Sequence, residues 1–188
     1  MIASKDRGGW IGASDVEKVL GNWKTATWMK WWLQKLSINT DHFDNVYTLA
    51  GTHFEHRILE SLGVPMEMDN QYINEELRLR VNLDGNTDDC NYECKTTNKP
   101  IEEFKMPKKY LQQVQVQMYG SGIHKTNIVV YALNAEDYDN FFRPIDPARR
   151  LVVPVAYDPE WIQKVYLPKH AILADCLKRG VIPNEALV

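Results

Sequence analysis

Two carboxylates and one lysine stand at a spacing that could hold a divalent metal ion and a water molecule beside a phosphodiester. Asp84 is followed, after a short gap, by Glu93 and Lys95 in the pattern Glu-x-Lys. Carboxylate oxygens are hard ligands that suit Mg²⁺ and leave positions for water and a phosphate oxygen. A bound metal acidifies water, while a lysine can orient or deprotonate that water or hold a phosphate oxygen. The pattern alone is common by chance, so a polar hairpin with a surface ion pair remains the alternative.

Two predicted strands would bring these groups together. Apolar and polar residues alternate over 77–84, which predicts a half-buried strand whose polar face ends at Asp84. The Asp-Gly pair at this point and the polar residues after it predict a turn. A second strand over about 91–97 would place Glu93 and Lys95 on one face. Pairing the two strands can therefore bring the three groups close to one another.

A third carboxylate is predicted to face inward from a helix over about 44–62. Glu55 shares the side of this helix that carries the apolar residues, and Gly63 then ends the helix. A carboxylate that faces the interior is costly unless it is paired or lies near a metal ion. A buried salt bridge with Arg78 or Arg80 is one explanation. Proximity to a metal site is the other, and the predicted hairpin favours it.

A glutamine-rich helix is predicted over about 107–119, with Gly120 at its end. Tyr110, Gln113 and Gln117 lie along one line of its surface. Such a face is usually only solvated, but an amide near a metal site can position water or a phosphate oxygen. If this face lies near the metal site, Tyr110 and Gln117 would contact DNA or its 5′ phosphate.

The start of the first helix offers a candidate anion site. The run from Ser14 to Glu17 fits the capping pattern Ser-x-x-Glu, and Gly21 would end the helix. Capping alone is the simpler explanation for Ser14. A helix N-terminus preceded by Gly12 is also a ready anion site, and Arg7 could supply charge to the same phosphate.

The remaining pattern indicates a mixed α/β domain. A second helix over about 25–36 carries tryptophans at helical spacing, which predicts a core face, with base stacking as the less favoured alternative. Apolar strands are predicted over about 127–133 and 151–157. Pro154 marks the latter as an edge or bulged strand, and a last helical region follows it.

Composition narrows the functional classes. The chain has 188 residues, 44% of them hydrophobic and 25% charged, which predicts one globular domain. A net charge of −3 gives no general affinity for nucleic acid, so a binding surface must be a local basic patch. Apolar runs are too short for a membrane and the N-terminus lacks a signal-peptide core, which favours a cytoplasmic location. The cysteines (Cys90, Cys94 and Cys176) cannot all pair, and free thiols are favoured over a zinc site.

Five segments together resemble the lambda-exonuclease-like (YqaJ-type viral recombinase) branch of the PD-(D/E)XK nucleases. In chain order they are WIGASDVEKVLG with Arg7 upstream, TATWMKWWLQK, GTHFEHRILE, LDGNTDDCNYECKT and YLQQVQVQMYGSGI. The resemblance spans about residues 7–133, and its most specific parts are the DG…ExK hairpin and the QVQ helix. It implies an α/β fold in which helices flank a restriction-endonuclease-like mixed central β-sheet. One nuclease domain would then cover 1–188, with a C-terminal strand and helices over 151–180.

The resemblance also implies roles at the predicted hairpin. Asp84 and Glu93 would bind Mg²⁺, or Mn²⁺ in its place, aided by the backbone carbonyl of Cys94. Lys95 would be the catalytic lysine, and Glu55 would lie beside the metal site.

Further roles follow from the same resemblance. Gln113 would assist at the active site, and Arg7 and Ser14 would bind the terminal 5′ phosphate of DNA. The expected activity is 5′→3′ degradation of linear duplex DNA in phage recombination. An endonuclease of the same fold is the nearest alternative, and a non-catalytic DNA-binding or inhibitor module is the alternative outside enzymes. The resemblance also implies a ring-shaped homotrimer and a single-strand annealing protein as partner.

Overall fold

The computed structural model describes residues 8–38 and 46–183. Arg7 and the predicted beginning of the third helix therefore lie outside the described residues. The strands are β1 (Ile11–Gly12), β2 (Glu67–Asn74), β3 (Leu79–Asn86), β4 (Asn91–Thr97), β5 (Lys125–Ala132) and β6 (Arg150–Ala156). The α-helices are α1 (Val16–Leu20), α2 (Ala26–Lys35), α3 (Val46–Glu60), α4 (Lys108–Ser121), α5 (Ala135–Asp139), α6 (Pro159–Trp161) and α7 (Leu167–Arg179).

The strands form one mixed sheet flanked by helices, which confirms the predicted fold class. β3 pairs parallel with β1 and antiparallel with β2 and β4. β4 pairs parallel with β5, and β5 pairs antiparallel with β6. The sequence did not predict β2, because its residues are all half-buried or exposed and no apolar alternation marks them. In the described chain β6 pairs only with β5, so Pro154 lies on an edge strand as predicted.

β3 and β4 separate just where the candidate metal ligands lie. Their backbones pair only at Gly85 with Tyr92 and at Asn86 with Asn91, next to the turn. The next pair in the same register would be Asp84 with Glu93, and the ladder stops before it. β4 instead pairs with β5 along its whole length. The sheet is therefore open between β3 and β4 and intact beyond β4.

Helix α4 runs closer to β3 than a side chain would allow. A Cβ atom added at Gly120 would lie 2.7 Å from Cγ2 of Val81, a β-branched residue in the core. The prediction that Gly120 ends the helix is wrong. α4 continues to Ser121 and ends at Gly122, whose φ of 76° is the left-handed conformation that glycine tolerates best. Gly120 serves the close helix–strand contact instead.

The tryptophans of α2 lie in the core, as the helical spacing predicts. Trp28, Trp31 and Trp32 are all buried, and the rings of Trp28 and Trp32 stack with centroids 5.4 Å apart. They pack in one cluster with apolar residues of α7. The Trp32 indole also donates a hydrogen bond of 3.1 Å to the carbonyl of Val181. Buried rings are not available to stack on bases, so base stacking is excluded for these residues.

β5 supports helices on both faces of the sheet. Val129 and Tyr131 pack in one apolar cluster with α3, whereas Ile128 and Val130 pack in another with α4. Successive side chains of a strand point to opposite faces. Helices α3 and α4 therefore lie on opposite sides of the sheet at β5, with the β3–β4 opening beside them.

The other general expectations concern thiols and membranes. Cys90, Cys94 and Cys176 form no disulfide with one another, and the last two are buried. No helix in residues 8–38 and 46–183 combines the length and apolarity needed to cross a bilayer.

Candidate active site

The structure brings the two hairpin carboxylates and the lysine together. The backbone N–H of Cys94 donates a hydrogen bond of 2.8 Å to Oδ2 of Asp84, so a side chain links β3 to β4 where their backbone ladder has stopped. The Lys95 ammonium pairs with Oε1 of Glu93. Glu93 is only 3% exposed, so this ion pair lies in a largely water-free part of the hairpin.

Two glutamines of α4 also bind the Glu93 carboxylate. Nε2 of Gln113 donates to Oε1 and Nε2 of Gln117 donates to Oε2, each at 2.5 Å. Gln117 also donates to the backbone carbonyl of Asn82 on β3 at 3.0 Å. Gln113 therefore lies at the predicted site. Gln117 is 2% exposed and both of its N–H donors are used inside the protein, so it has none left for the phosphate contact expected from the sequence.

Glu55 approaches the hairpin from α3, on the other side of the sheet. No ion pair joins it to Arg78 or Arg80 among the described residues, so the predicted salt bridge is not formed there. Burial raises the pKa of Glu55, and the negative charge of Glu93 raises it further. The opening between β3 and β4 explains how a side chain from one face can interact with a carboxylate held on the other.

Burial and neighbouring charges shift the pKa values of the charged groups at the site. Burial raises the pKa of Asp84 well above its usual range, and the charges of Glu93 and Glu55 add to this effect. Burial alone would lower the pKa of Lys95, but the Glu93 and Asp84 carboxylates outweigh it and raise that pKa above its ordinary value. Lys95 is therefore an ammonium at neutral pH, and it acts as a hydrogen-bond donor in this state.

The donor set fits a divalent cation. Asp84, Glu93 and Glu55 would together carry three formal negative charges when ionised, and Lys95 supplies one positive charge. A divalent ion would neutralise the remainder and favour the ionised form of Asp84. Oxygen donors of this type are those that Mg²⁺ and Mn²⁺ prefer.

A cavity of about 190 Å³ connects the carboxylates to the predicted anion site. Its lining includes Asp84 and Glu93 of the hairpin and Ser14 of the N-terminal segment. Arg80 and Lys35 also line it. The cavity thus joins acidic groups that suit a metal to hydroxyl, amide and cationic groups that suit a phosphate.

Ser14 does not cap the first helix, contrary to the simpler of its two explanations. It lies in a short 3₁₀ helix, Ala13–Asp15, that precedes α1, and its hydroxyl makes no capping hydrogen bond. The backbone N–H of Gly12 is instead satisfied by Oδ2 of Asp15 at 2.7 Å. The hydroxyl is exposed and lines the cavity.

Lys35 is a cavity residue that sequence reasoning missed. It is buried, and its ammonium lies 2.6 Å from Oδ2 of Asp15. The other oxygen of Asp15 accepts a hydrogen bond of 2.8 Å from the Trp31 indole. Asp15 therefore orients both Lys35 and the backbone at Gly12. This arrangement depends on the packing of α2, and no local sequence motif predicts it. The sequence did indicate a position near the site for Arg80, because Arg80 shares the polar face of the predicted strand that ends at Asp84.

Tyr110 lies between two lysines. The Lys95 Nζ atom is 5.1 Å from the centre of its ring, and the Lys109 Nζ atom is 5.6 Å from it. The ring therefore contacts the candidate catalytic ammonium on the surface side of the site. Arg7, the other predicted phosphate ligand, lies outside the described residues.

His56 and Asp69 are further neighbours that the sequence did not indicate. Nε2 of His56 lies 3.0 Å from Oδ2 of Asp69. One potential metal-ligand atom from each of Glu55, His56 and Asp69 lies within 4.8 Å of the other two. Asp69 has a φ of 59° within β2. This left-handed conformation is costly for a non-glycine residue, although Asp tolerates it better than most.

Comparison with known proteins supports the fold. The family model described as the YqaJ-like viral recombinase domain matches residues 4–124. An alkaline exonuclease from Laribacter hongkongensis, LHK-Exo, superposes with a TM-score of 0.71 at 18% identity, covering 92% of this chain and 90% of that chain. Its structure in complex with dAMP gives a TM-score of 0.70 at 19% identity, covering 93% and 91%.

A second protein shows the same architecture. A phage-related exonuclease from Haemophilus somnus 129PT superposes with a TM-score of 0.61 at 14% identity, covering 89% of this chain and 92% of that chain. No curated protein sequence matches the chain. The structural similarities extend beyond the residues of the family match, into the C-terminal third.

Proposed function

Because the chain belongs to the family of the YqaJ-like viral recombinase domain, we propose that it is a metal-dependent DNA nuclease. Its activity would be that of a phage-type 5′→3′ exonuclease on linear duplex DNA. The observation that carries the proposal is the meeting of Asp84, Glu93 and Lys95 at the hairpin, together with the cavity that Asp84 and Glu93 line jointly with Ser14. That arrangement supports a hydrolytic site beside a group that can recognise a DNA end.

The metal would be Mg²⁺, with Mn²⁺ able to replace it. Asp84, Glu93 and the backbone carbonyl of Cys94 would hold it. When bound, the ion supplies an acidified water and offsets negative charge on the reacting phosphate. The Asp84 and Glu93 side chains are fixed in advance by the Cys94 N–H and by the two glutamines, so little reorganisation is needed to bind the ion.

Lys95 would act beside the metal as a charged donor. Its pKa is raised by the carboxylates, so it holds its proton at neutral pH and can orient the attacking water or bind a phosphate oxygen. The ring of Tyr110 limits where the ammonium can move. Gln113 donates a hydrogen bond to the same Glu93 oxygen that pairs with Lys95, which fixes the position of the carboxylate relative to the lysine.

The cavity would also bind the terminal 5′ phosphate. Ser14, Lys35 and Arg80 offer a hydroxyl and two cationic groups there, and Arg7 is expected to add a third. A site for a phosphate terminus has a use in an exonuclease and none in an enzyme that cuts within a strand. The structure of LHK-Exo in complex with dAMP is in keeping with exonuclease action, since a nucleoside monophosphate is the product class of an exonuclease.

A digestion of linear and closed circular duplexes of the same sequence tests the proposal. With Mg²⁺ the linear DNA should be degraded to mononucleotides while the circle persists, and chelation should stop the reaction. A linear duplex with 5′-hydroxyl ends should be a poorer substrate than the 5′-phosphorylated one.

Other outcomes select the alternatives. Cleavage of the circle would favour an endonuclease of the same fold. Persistence of both substrates at high protein concentration would favour a non-catalytic DNA-binding module. The ring-shaped trimer and the annealing protein stay predictions, which a measurement of mass in solution and a pull-down would test separately.

A further inference from the structure

The gap between β3 and β4 must be held at a fixed width if residues of both strands are to share one metal ion. Backbone pairing does not set that width, because the ladder ends at Gly85 and Tyr92. Two side-chain links span the gap instead. One is the bond from the Cys94 N–H to Asp84, and the other runs through Gln117.

The amide of Gln117 joins the two strands directly. Nε2 donates to the Asn82 carbonyl on β3 at 3.0 Å and to Oε2 of Glu93 on β4 at 2.5 Å. The orientation of the amide is fixed by chemistry, because a flipped amide would set its oxygen against two acceptors. The remaining Oε1 atom is buried and has no partner among the described residues.

Gln117 is also the only described residue that binds Oε2 of Glu93. Oε1 receives hydrogen bonds from both Lys95 and Gln113, so it has two donors. Oε2 has only the Gln117 amide, one turn further along α4. Without it, one oxygen of a nearly fully buried carboxylate would lose its donor and the carboxylate would be free to turn.

We propose that Gln117 is a positioning residue of the metal site. It fixes the orientation of the Glu93 carboxylate and the separation of β3 from β4, and thereby sets the affinity for the divalent ion. The inference rests on the proposed function, in which Glu93 is a metal ligand. It replaces the contact with DNA that the sequence pattern suggested for this glutamine.

The test is a calorimetric titration of Mn²⁺ into the metal-free full chain, compared between two matched variants. Gln117→Met removes both donors but keeps length, volume and helix propensity. Gln115→Met makes the same change two residues earlier, where Nε2 donates to the Ala156 carbonyl at 2.8 Å and Oε1 accepts from the Asp158 N–H at 2.7 Å, away from the hairpin. Both changes remove buried hydrogen bonds, so a general loss of packing would affect both.

We expect Gln117→Met to bind Mn²⁺ about 10–100-fold more weakly than the unmodified chain, the usual effect of losing a partner of a metal ligand. Gln115→Met should stay within about twofold of the unmodified chain. A Gln117→Met affinity equal to or tighter than that of the unmodified chain would overturn the inference, as would an equal loss in both variants. If Gln117→Met does not melt cooperatively, Gln117→Asn takes its place, because its shorter amide cannot reach both acceptors and the same loss is expected.

Different results refute the metal site and the role of Gln117. If the unmodified chain binds no Mn²⁺, the metal site of the proposed function is refuted. If it binds Mn²⁺ and Gln117→Met binds equally well, only the role of Gln117 is refuted.

Discussion

Replacing Lys95 by methionine should slow cleavage of linear duplex DNA by about 10²–10³-fold while leaving metal binding intact. The ammonium is the only cation that pairs with Glu93 among the described residues, and the site also contains Asp84 and Glu55. With Mg²⁺ bound, the three carboxylates are balanced only if the lysine is present. Two unit charges about 4 Å apart near a protein surface interact by about 4 kcal/mol. A loss of about 3–4 kcal/mol of transition-state stabilisation corresponds to that fall in rate.

Single-turnover cleavage at saturating Mg²⁺ measures this effect apart from binding. Removing a cation beside the metal should leave Mn²⁺ affinity unchanged or tighter, the opposite of the result expected for Gln117→Met. Lys109→Met is the matched control, because Lys109 lies 5.6 Å from the centre of the same Tyr110 ring but its side chain is 48% exposed. A Lys95→Met rate within tenfold of the unmodified enzyme would refute the assigned role, as would an equal loss for Lys109→Met.

Two further predictions concern stability. Asp84→Asn should raise the melting temperature of the metal-free protein at pH 7. The folded protein raises the pKa of the Asp84 carboxyl, so the protonated carboxyl favours folding. This contribution to stability is lost as the pH rises above 3.8, the ordinary pKa of aspartate. The gain should disappear below pH 3.8, and a variant that melts below the unmodified chain at pH 7 would contradict the argument. Gly120→Ala should destabilise the protein by up to about 2 kcal/mol, since overpacking against Val81 costs about 1–3 kcal/mol and the better helix propensity of alanine offsets about 1 kcal/mol of it. Thermal unfolding should show a drop of about 2–4 °C per kcal/mol, and a rise would mean that α4 can move away from β3.

The hairpin could be predicted because its information is local. Alternation predicts which residues of β3 share a face. The predicted position of the turn is wrong, because Asp84 and Gly85 lie inside β3 and the chain turns between Asn86 and Asn91 instead. The inward position of Glu55 followed from helical spacing alone. β2 escaped prediction because its environment is polar or half-exposed along its length, so no pattern separates it from a loop.

The detailed roles at the site depend on contacts between distant segments. Gln117 looked like a surface residue beside Gln113, and only the closeness of α4 to β3 buries it. Ser14 fitted a capping pattern, but it lies inside the 3₁₀ helix Ala13–Asp15 and the N-cap position of α1 falls on Asp15. Lys35 reaches the cavity through the packing of α2. A single sequence does not specify which of several equivalent local partners the tertiary structure will choose.

The strand β5 has a consequence for how this protein can be divided. The family match ends at residue 124, and β5 begins at Lys125. Yet β5 pairs with the whole length of β4 and supplies apolar side chains to the helices on both faces. A fragment cut after the last recognisable motif would leave β4, which carries Glu93 and Lys95, as a bare edge, prone to pair with other chains. The segment that carries the chemistry is thus not a module that can be transplanted, and an exchange between genes would have to carry its unmarked C-terminal third along with it.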